Sequence, residues 1–219
     1  FSLIASLPVN DPALAAAAWE NGAHAVKVHI NVSHRASKTL FKGFAEERPA
    51  LERILAEAKG PVGIVLGGDP LPARRDLEDV IKAGFDFISI YAHHAPTELL
   101  DGEITKMLAA DYSYTGEAIK NLVSCADVFE ASIIHPESYG EELTLKDIIT
   151  YKTICGSIDI PVVVPTQKRI RPGEVKHLYH AGVSAVMIGA ISAGKTAAEF
   201  GGKTAEFRKT IDALEERGR

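Results

Sequence analysis

Cysteine is scarce in this sequence, because Cys125 and Cys155 are its two residues of that type. Neither lies in a CxxC pair or at ligand spacing from a histidine, which argues against a disulfide framework and against a zinc site. Two buried thiols are typical of a reducing compartment, so we expect a cytoplasmic protein. We predict no metal and no organic cofactor.

The sequence also lacks a long hydrophobic run and an excess of basic residues. No apolar stretch approaches the roughly 20 residues of a membrane span, so we expect no membrane partner. The 24 Lys and Arg residues are mixed along the chain with 29 Asp and Glu residues, for a net charge of -5. A nucleic-acid partner calls for a basic face, which this balance does not supply.

A junction between helix and strand recurs along the chain. Three times, a helix-like segment ends at a glycine and a short apolar run follows, at residues 21–28, 83–90 and 181–188. A glycine after the last helical turn adopts the left-handed conformation without steric cost and lets the chain enter a strand. The recurrence indicates one strand–helix unit that is used repeatedly.

Strand-like and helix-like segments alternate throughout. Strands are predicted at 2–6, 25–30, 62–66, 87–91, 106–110, 128–134, 161–164 and 185–188. Helices are predicted at 11–20, 44–58, 74–83, 116–123, 144–154, 172–181 and 204–216. Such alternation predicts a parallel sheet covered by helices. Eight units in 219 residues favour a closed (β/α)8 TIM barrel that forms a single domain over 1–219, with an open Rossmann-type sheet as the alternative.

Polar side chains occur within the second predicted strand and near the ends of later ones. Lys27, His29 and Asn31 alternate with apolar residues, so a period of two places all three on the face that points into the barrel. Glu130 has an inward position in the sixth strand, and Asp111 follows the fifth. Active sites of this fold lie at the C-terminal strand ends. We therefore predict as catalytic candidates Lys27, His29, Asp111 and Glu130.

Two interpretations of Lys27 and Glu130 are open. A carboxylate inside a strand is costly unless it is paired or hydrogen-bonded. The two residues fit a structural ion pair between strands of the barrel core. They also fit a functional acid/base pair.

Residues 189–196, after the eighth predicted strand, match the P-loop pattern G-x-x-x-x-G-K-[ST]. In P-loop enzymes a strand later in the chain supplies an aspartate that binds Mg. The residues that follow Thr196 here are enough for one helix and leave no room for such a strand. We therefore expect no nucleotide hydrolysis. A glycine-rich turn before a helix still presents N–H groups to an anion.

The loop at 166–172, after the seventh predicted strand, is the densest basic stretch of this acidic chain. TIM barrels often bind phosphate between their last two loops. The predicted phosphate-binding residues are Lys168, Arg169, Gly189, Ser192, Gly194, Lys195 and Thr196. A solvated loop whose cations balance nearby acids is the alternative.

The chain resembles the ribulose-phosphate-binding barrels, and among them most resembles N-acetylmannosamine-6-phosphate 2-epimerases. The similarity lies in residues 3–6, 62–65, 163–172, 181–183 and 188–191. It implies a TIM barrel that binds a phosphorylated small molecule. Two departures argue against the epimerase activity itself. Leu66 stands where that family has a catalytic lysine, and 164–167 lacks its catalytic glutamate.

A fainter similarity to ribulose-phosphate 3-epimerases lies in His29-Ile30-Asn31, where that family has a His-x-Asp pair of metal ligands. Asn31 replaces the acidic ligand, which argues against a metal. Barrels of this group commonly pair through apolar helix faces, so the resemblance also implies a homo-oligomer.

Three functional hypotheses follow. The first is an isomerase or epimerase that moves a proton next to the carbonyl of a phosphorylated sugar or similar metabolite. Glu130 or Asp111 is then the base, and His29 or Lys27 polarises the carbonyl. The second makes Lys27 the Schiff-base nucleophile of an aldolase-type lyase. The third, suggested by the missing family residues, is a non-catalytic barrel that binds a phosphorylated metabolite.

Overall fold

Eight parallel strands close into a barrel in the computed structural model, which describes residues 1–217. The last two positions of the predicted 1–219 domain lie outside the described residues. In chain order the strands are β1 (Ser2–Ser6), β2 (Ala25–His29), β3 (Val32–His34), β4 (Thr39–Phe41), β5 (Val62–Val65), β6 (Phe87–Tyr91), β7 (Thr105–Ala109), β8 (Val128–Glu130), β9 (Val162–Pro165) and β10 (Ala185–Ile188). Around the barrel the order is β1-β2-β5-β6-β7-β8-β9-β10, which closes on β1 and confirms the predicted TIM barrel.

The helices cover the outside of the barrel. They are α1 (Pro12–Glu20), α2 (Phe44–Ala56), α3 (Pro70–Ala83), α4 (Gly116–Leu122), α5 (Leu145–Cys155), α6 (Val175–His180), α7 (Ala190–Ala193) and α8 (Ala197–Arg217). Asp11 and Asp69 cap α1 and α3 with their side chains, each just before a proline. Gly22, Gly84 and Gly182 have φ values of 91°, 85° and 90°, so each predicted junction glycine is left-handed.

Apolar side chains pack on both faces of the strands. Outward residues such as Val26 and Val28 belong to one cluster with the helices. The cluster inside the barrel consists of Ile4, Ala25, Phe87, Met107, Val163, Ala185 and Met187. A Cβ on Gly63 would lie 2.0 Å from the Phe87 ring. The phenyl ring therefore fills the space that a side chain at position 63 would occupy.

Several predicted elements have different bounds in the structure. The sixth predicted strand, 128–134, ends at Glu130, and the predicted helix 204–216 begins at Ala197. Gly201 and Gly202 weaken the helical pattern there, since glycine is a poor helix former. A Cβ on Gly201 would lie 2.9 Å from the Asn21 side chain, so glycine permits the close approach of α8 to α1. The β3–β4 hairpin is not predicted at all, because its strands are too short to show periodicity.

Both cysteines are free, as predicted, but they are half-buried rather than buried. Burial raises the pKa of the Cys155 thiol to about 11, which keeps it protonated and unreactive near neutral pH. Within residues 1–217, no helix is both long enough and apolar enough to span a bilayer.

Candidate active site

A cavity of about 400 Å³ opens at the C-terminal end of the barrel strands. Its floor contains side chains from the strands, including Lys27, His29 and Glu130, and its walls come from the loops that follow them. This is the end of a TIM barrel where loops from different strands assemble a site. All four predicted catalytic residues thus line one cavity, Lys27, His29 and Glu130 at its floor and Asp111 on its wall.

An ion pair lies at the floor of the cavity. Lys27 Nζ is 3.0 Å from Glu130 Oε2, and the two residues are 4% and 6% exposed. Glu130 also accepts hydrogen bonds from Ser89 Oγ at 2.7 Å and Ser132 Oγ at 2.8 Å. Lys27 Nζ donates to Ser89 Oγ at 3.3 Å as well. Each charge is therefore compensated by a partner and by hydroxyl groups, as burial requires.

Opposing effects act on the protonation of Glu130. Burial raises the pKa of its carboxyl group, but the charge of Lys27 and the hydrogen bonds from Ser89 and Ser132 together hold the pKa below its ordinary value. Glu130 is accordingly a carboxylate in the resting site. A carboxylate that accepts three hydrogen bonds is a weak base for removing a proton from a C–H bond. It still lies close enough to accept a proton directly from the Lys27 ammonium group.

The pleat of β2 explains why Lys27 and His29 face the cavity. They alternate with Val26 and Val28, which belong to the outer cluster. Asn10 holds the end of the strand, because its side chain accepts from His29 N at 3.1 Å and donates to His29 O at 2.7 Å.

The predicted inward position of Asn31 is wrong. The strand ends at His29, and Asn31 has a left-handed φ of 54°. Its side chain donates to Leu66 O and to Asp76 Oδ2 at 2.8 Å, behind the cavity wall. The alternation of side chains stops where the ladder of strand hydrogen bonds stops, which the pattern of residues does not reveal.

Two uncharged imidazoles stand side by side above the ion pair. The rings of His29 and His34 are 4.9 Å apart, and Phe41 stacks on His29 at 4.8 Å. Burial, followed by the neighbouring His34 imidazole and the charge of Lys27, lowers the pKa of His29 well below its ordinary value. Burial and the charge of Lys27 lower the pKa of His34 to about 4. Both rings are therefore neutral near pH 7 and serve as hydrogen-bonding groups.

Asp111 lies on the cavity wall, away from the strand ladder. Its Oδ1 accepts from Ser113 N at 2.9 Å and from Ser113 Oγ at 2.6 Å. Burial raises the pKa of Asp111, but these two bonds and the neighbouring histidines outweigh it and hold the pKa below the ordinary value. Asp111 is thus a carboxylate whose main hydrogen bonds stay within its own loop.

Several cavity residues were outside the predicted site. Gln167 Nε2 donates to Ser132 O at 3.1 Å and to the Tyr139 hydroxyl, and both Gln167 and Tyr139 line the cavity. Tyr91 lines it too, and burial raises the pKa of its phenol, which stays protonated. Tyr91 and Gln167 sit at strand ends, a position that could have marked them. Tyr139 lies in a long loop with no such signal.

The predicted phosphate residues are dispersed. Gly189 lines the cavity, whereas the other six are not among the lining residues of the described chain. Lys168 Nζ is buried against Glu141 Oε2 at 2.9 Å, and Arg169 is exposed beside Glu142. Ser192 Oγ donates to Ile170 O. The basic loop is therefore engaged with its own acidic neighbours.

The P-loop-like segment also has internal partners. Glu199 Oε2 accepts from the backbone N–H groups of Lys195 and Thr196 and from the Thr196 hydroxyl, in contacts of 3.3, 3.2 and 2.9 Å. Lys195 Nζ donates to Ser37 O at 2.6 Å. Gly194 has a left-handed φ of 81° at the turn before α8. A carboxylate of the same helix thus occupies the amides that a phosphate would use.

Among the described residues, no group of three or more histidine, cysteine and acidic side chains is placed to hold a metal ion. The floor of the cavity instead combines a primary amine, a carboxylate and hydroxyl groups. This set can add an amine to a carbonyl or move a proton next to one.

No family model matches this chain, and no curated protein matches its sequence. Solved structures do match. The thiamine phosphate pyrophosphorylase from Pyrococcus furiosus is 15% identical, with a TM-score of 0.68 over 97% of this chain and 96% of that one. A structure described as native KDPGal is 16% identical, with a TM-score of 0.71 over 99% of this chain and 97% of that one.

A mutant tryptophan synthase alpha-subunit from Pyrococcus furiosus is similar to the same degree. It is 16% identical, with a TM-score of 0.71 over 95% of this chain and 97% of its own. At such identities the likeness establishes the shared barrel fold and leaves the chemistry to be argued from the site itself.

Proposed function

We propose that this barrel is an enzyme that acts on a small carbonyl compound, with Lys27 as a Schiff-base nucleophile and Glu130 as its proton acceptor. The observation that carries the proposal is the 3.0 Å contact of Lys27 Nζ with Glu130 Oε2 at the floor of a cavity large enough for a small metabolite. A nucleophile beside its own base is the general arrangement of covalent catalysis.

The pair can perform each proton transfer of imine formation. Glu130 takes a proton from the Lys27 ammonium group, and the freed amine adds to the carbonyl carbon of the substrate. After the amine proton moves to the oxygen, the carbinolamine loses that oxygen as water with the proton that Glu130 returns. The resulting iminium accepts the electron pair released when a neighbouring C–C bond breaks, while Glu130, again a carboxylate, takes the proton of the hydroxyl group whose carbon becomes the released carbonyl. Return of that proton to the enamine carbon, followed by addition of water to the imine, releases the second product and frees Lys27, which completes lyase chemistry of the aldolase type.

The electrostatics of the site favour this role for Glu130. Three donors hold the pKa of its carboxyl group low, and this weakens it as a base toward a C–H bond. Lys27 Nζ is itself one of these donors, 3.0 Å from Glu130 Oε2, so a proton can pass directly between the two groups. His29 and His34, as neutral rings with lowered pKa values, are weak bases and fit the role of hydrogen-bonding groups.

A second candidate function is the isomerase or epimerase reaction predicted from the sequence. The presence of Asp111 in the same cavity favours it, because a second carboxylate could remove a proton while Lys27 or His29 polarises the carbonyl. The low pKa of Asp111 makes this the weaker candidate. The epimerase resemblance, a phosphorylated substrate, a homo-oligomer and a cytoplasmic location all stay predictions.

Reductive trapping tests the proposal. The protein is incubated with sodium borohydride and one of several carbonyl compounds, such as glyceraldehyde 3-phosphate, dihydroxyacetone phosphate or pyruvate, and then digested for mass spectrometry. We expect a covalent adduct on the Lys27 peptide that Lys27→Met abolishes. Lys168→Met is the matched control, since Lys168 is a buried lysine paired with a glutamate outside the cavity, and it should leave the adduct intact.

The other functions give different results in the same experiment. Turnover of a compound that cannot be trapped, with loss of turnover in Glu130→Gln, would reject the Schiff base and support the isomerase or epimerase. Binding without turnover that Glu130→Gln does not change would support the non-catalytic barrel.

A further inference from the structure

A hairpin folds over the mouth of the cavity. Strands β3 and β4 pair in antiparallel fashion from Val32 to Phe41, and residues 32–36 line the cavity. The hairpin supplies His34 and Arg35, neither of which was predicted as a site residue. The side chain of His34 reaches down to His29, whereas Arg35 is exposed at the rim.

Arg35 carries a positive charge, and none of the ion pairs within the described residues 1–217 includes it. Its guanidinium carbon lies 6.0 Å from the centre of the Tyr139 ring, which is another cavity residue. The other lysine or arginine lining the cavity in this part of the chain is Lys27, which Glu130 neutralises. Arg35 is therefore the cationic side chain that the cavity has available for a ligand.

Lys195, in the segment after β10, fastens this hairpin to the neighbouring part of the barrel mouth, since only β1 lies between β10 and β2. Its amine donates to Ser37 O at 2.6 Å, in the turn between β3 and β4. The hairpin has another tie, in which the Thr39 hydroxyl donates to Pro8 O at 2.7 Å. The lysine of the P-loop-like segment is thus used to hold the loop that carries Arg35.

We propose that Arg35 binds the anionic group of the substrate, a phosphate or a carboxylate, and that Lys195 positions the hairpin for this contact. A guanidinium group is suited to either anion, because its planar N–H groups match two oxygens at once. The proposal rests on the proposed function only in taking this cavity as the active site. It moves the anion contact from the β9 and β10 loops, where the sequence predicted it, to the β3–β4 hairpin.

Titration calorimetry with compounds that have no carbonyl group tests the contact with Arg35. Glycerol 3-phosphate and glycerate are the anionic probes, and glycerol is the neutral one. Arg35→Gln should weaken the binding of at least one anion by roughly 10- to 100-fold, the range for loss of a charge-assisted hydrogen bond, and should leave glycerol unchanged. The anion with the larger loss identifies phosphate or carboxylate. Arg169→Gln, an exposed arginine outside the cavity, is the control and should change neither.

A double-mutant cycle tests the role of Lys195. Lys195→Met should weaken anion binding in the wild-type protein but cause no further loss in the Arg35→Gln background, because it acts through Arg35. Lys195→Arg keeps a donor for Ser37 and should restore most of the affinity. If the Lys195→Met loss persists in full without Arg35, Lys195 itself contacts the anion and the positioning role is wrong.

The two proposals fail in different ways. If neither anion binds the wild-type protein, or if Arg35→Gln binds both as tightly as wild type, the proposal that Arg35 binds the anion is wrong. This conclusion does not depend on the result of the borohydride experiment. If binding depends on Arg35 while no adduct forms on Lys27, the Schiff base is rejected and the role of Arg35 is retained.

Discussion

Removing either partner of the buried Lys27–Glu130 pair should destabilise the fold, and the two losses should be unequal. After Lys27→Met, the Glu130 carboxylate keeps its hydrogen bonds from Ser89 and Ser132. After Glu130→Gln, Lys27 loses its counter-charge and keeps only neutral acceptors, Ser89 Oγ at 3.3 Å and the new amide oxygen. We therefore expect Glu130→Gln to cost more than Lys27→Met.

The cost of each substitution has an upper limit, since an unpaired buried group can become neutral. At about 1.36 kcal/mol per pKa unit, neutralising an ordinary lysine at pH 7 costs about 4.6 kcal/mol, and neutralising an ordinary glutamate costs about 3.7 kcal/mol. These limits agree with the roughly 3–5 kcal/mol lost when one partner of a buried pair is removed. The double variant Lys27→Met/Glu130→Gln leaves no buried charge at the pair and should recover at least about 2 kcal/mol relative to the sum of the single losses.

The two single variants should respond to pH in opposite directions. In Glu130→Gln, burial without a counter-charge favours the neutral form of Lys27, so the folded state binds fewer protons than the unfolded chain and stability rises as pH rises from 7 to 9. In Lys27→Met, burial without a counter-charge favours the protonated form of Glu130, so the folded state binds more protons than the unfolded chain and stability rises as pH falls from 7 to 5. Each change is at most about 2.7 kcal/mol over two pH units.

Equilibrium urea unfolding of the wild type, both single variants and the double variant, at pH 5, 7 and 9, measures these free energies. Additive single losses, or single variants with the pH response of wild type, would refute the reasoning that the cost comes from an uncompensated buried charge. A double variant that is as stable as wild type but forms no adduct would show that the pair is kept for chemistry rather than for stability.

Two further predictions concern the hairpin and the barrel core. Because the pKa of His34 is lowered to about 4, the unfolded chain binds more protons between pH 4 and 6.5, so stability should fall by up to about 3 kcal/mol as pH drops through this window. Urea unfolding at pH 7 and 5 should show a smaller fall for His34→Gln than for wild type or the exposed control His177→Gln, and equal falls would contradict the burial of His34. Gly63→Ala should cost about 1–3 kcal/mol, since the new Cβ would lie 2.0 Å from the Phe87 ring. Thermal unfolding should show that Phe87→Leu relieves much of this cost, and an undiminished cost in the double variant would place the clash elsewhere.

Much of the barrel could be predicted because its signals are local. The glycines at 22, 84 and 182 end helices in a conformation that favours glycine, and each is followed by an apolar strand. Alternation along β2 likewise placed Lys27 and His29 on the inward face, because the pleat has a period of two. The ends of strands were less predictable. In β2 the alternation of polar and apolar residues continues to Asn31, although the strand's hydrogen bonds end at His29.

The hairpin and the contacts of the predicted phosphate-binding residues could not be predicted from local sequence patterns. Residues 189–196 match an anion-binding pattern in composition, yet Glu199, a few residues along, satisfies their amides. A sequence match shows which hydrogen-bond donors a segment contains. It does not show whether those donors bind a ligand or another side chain of the same protein. The β3–β4 hairpin has too few residues for a periodic signal, and its place over the cavity depends on ties to Lys195 and Pro8.

By itself, the sequence determined the strand–helix alternation and the inward direction of a few polar side chains, since each follows from neighbours along the chain. The number of units favoured a closed barrel over an open sheet, and the pairing of β1 with β10 decided it. The tertiary structure alone decided which of these side chains meet. Lys27 and Glu130 are 103 positions apart, and Lys195 and Ser37 are 158 apart. Contacts over such separations form only when the barrel closes, and they depend on the shape of the whole fold and on competition among all nearby polar groups.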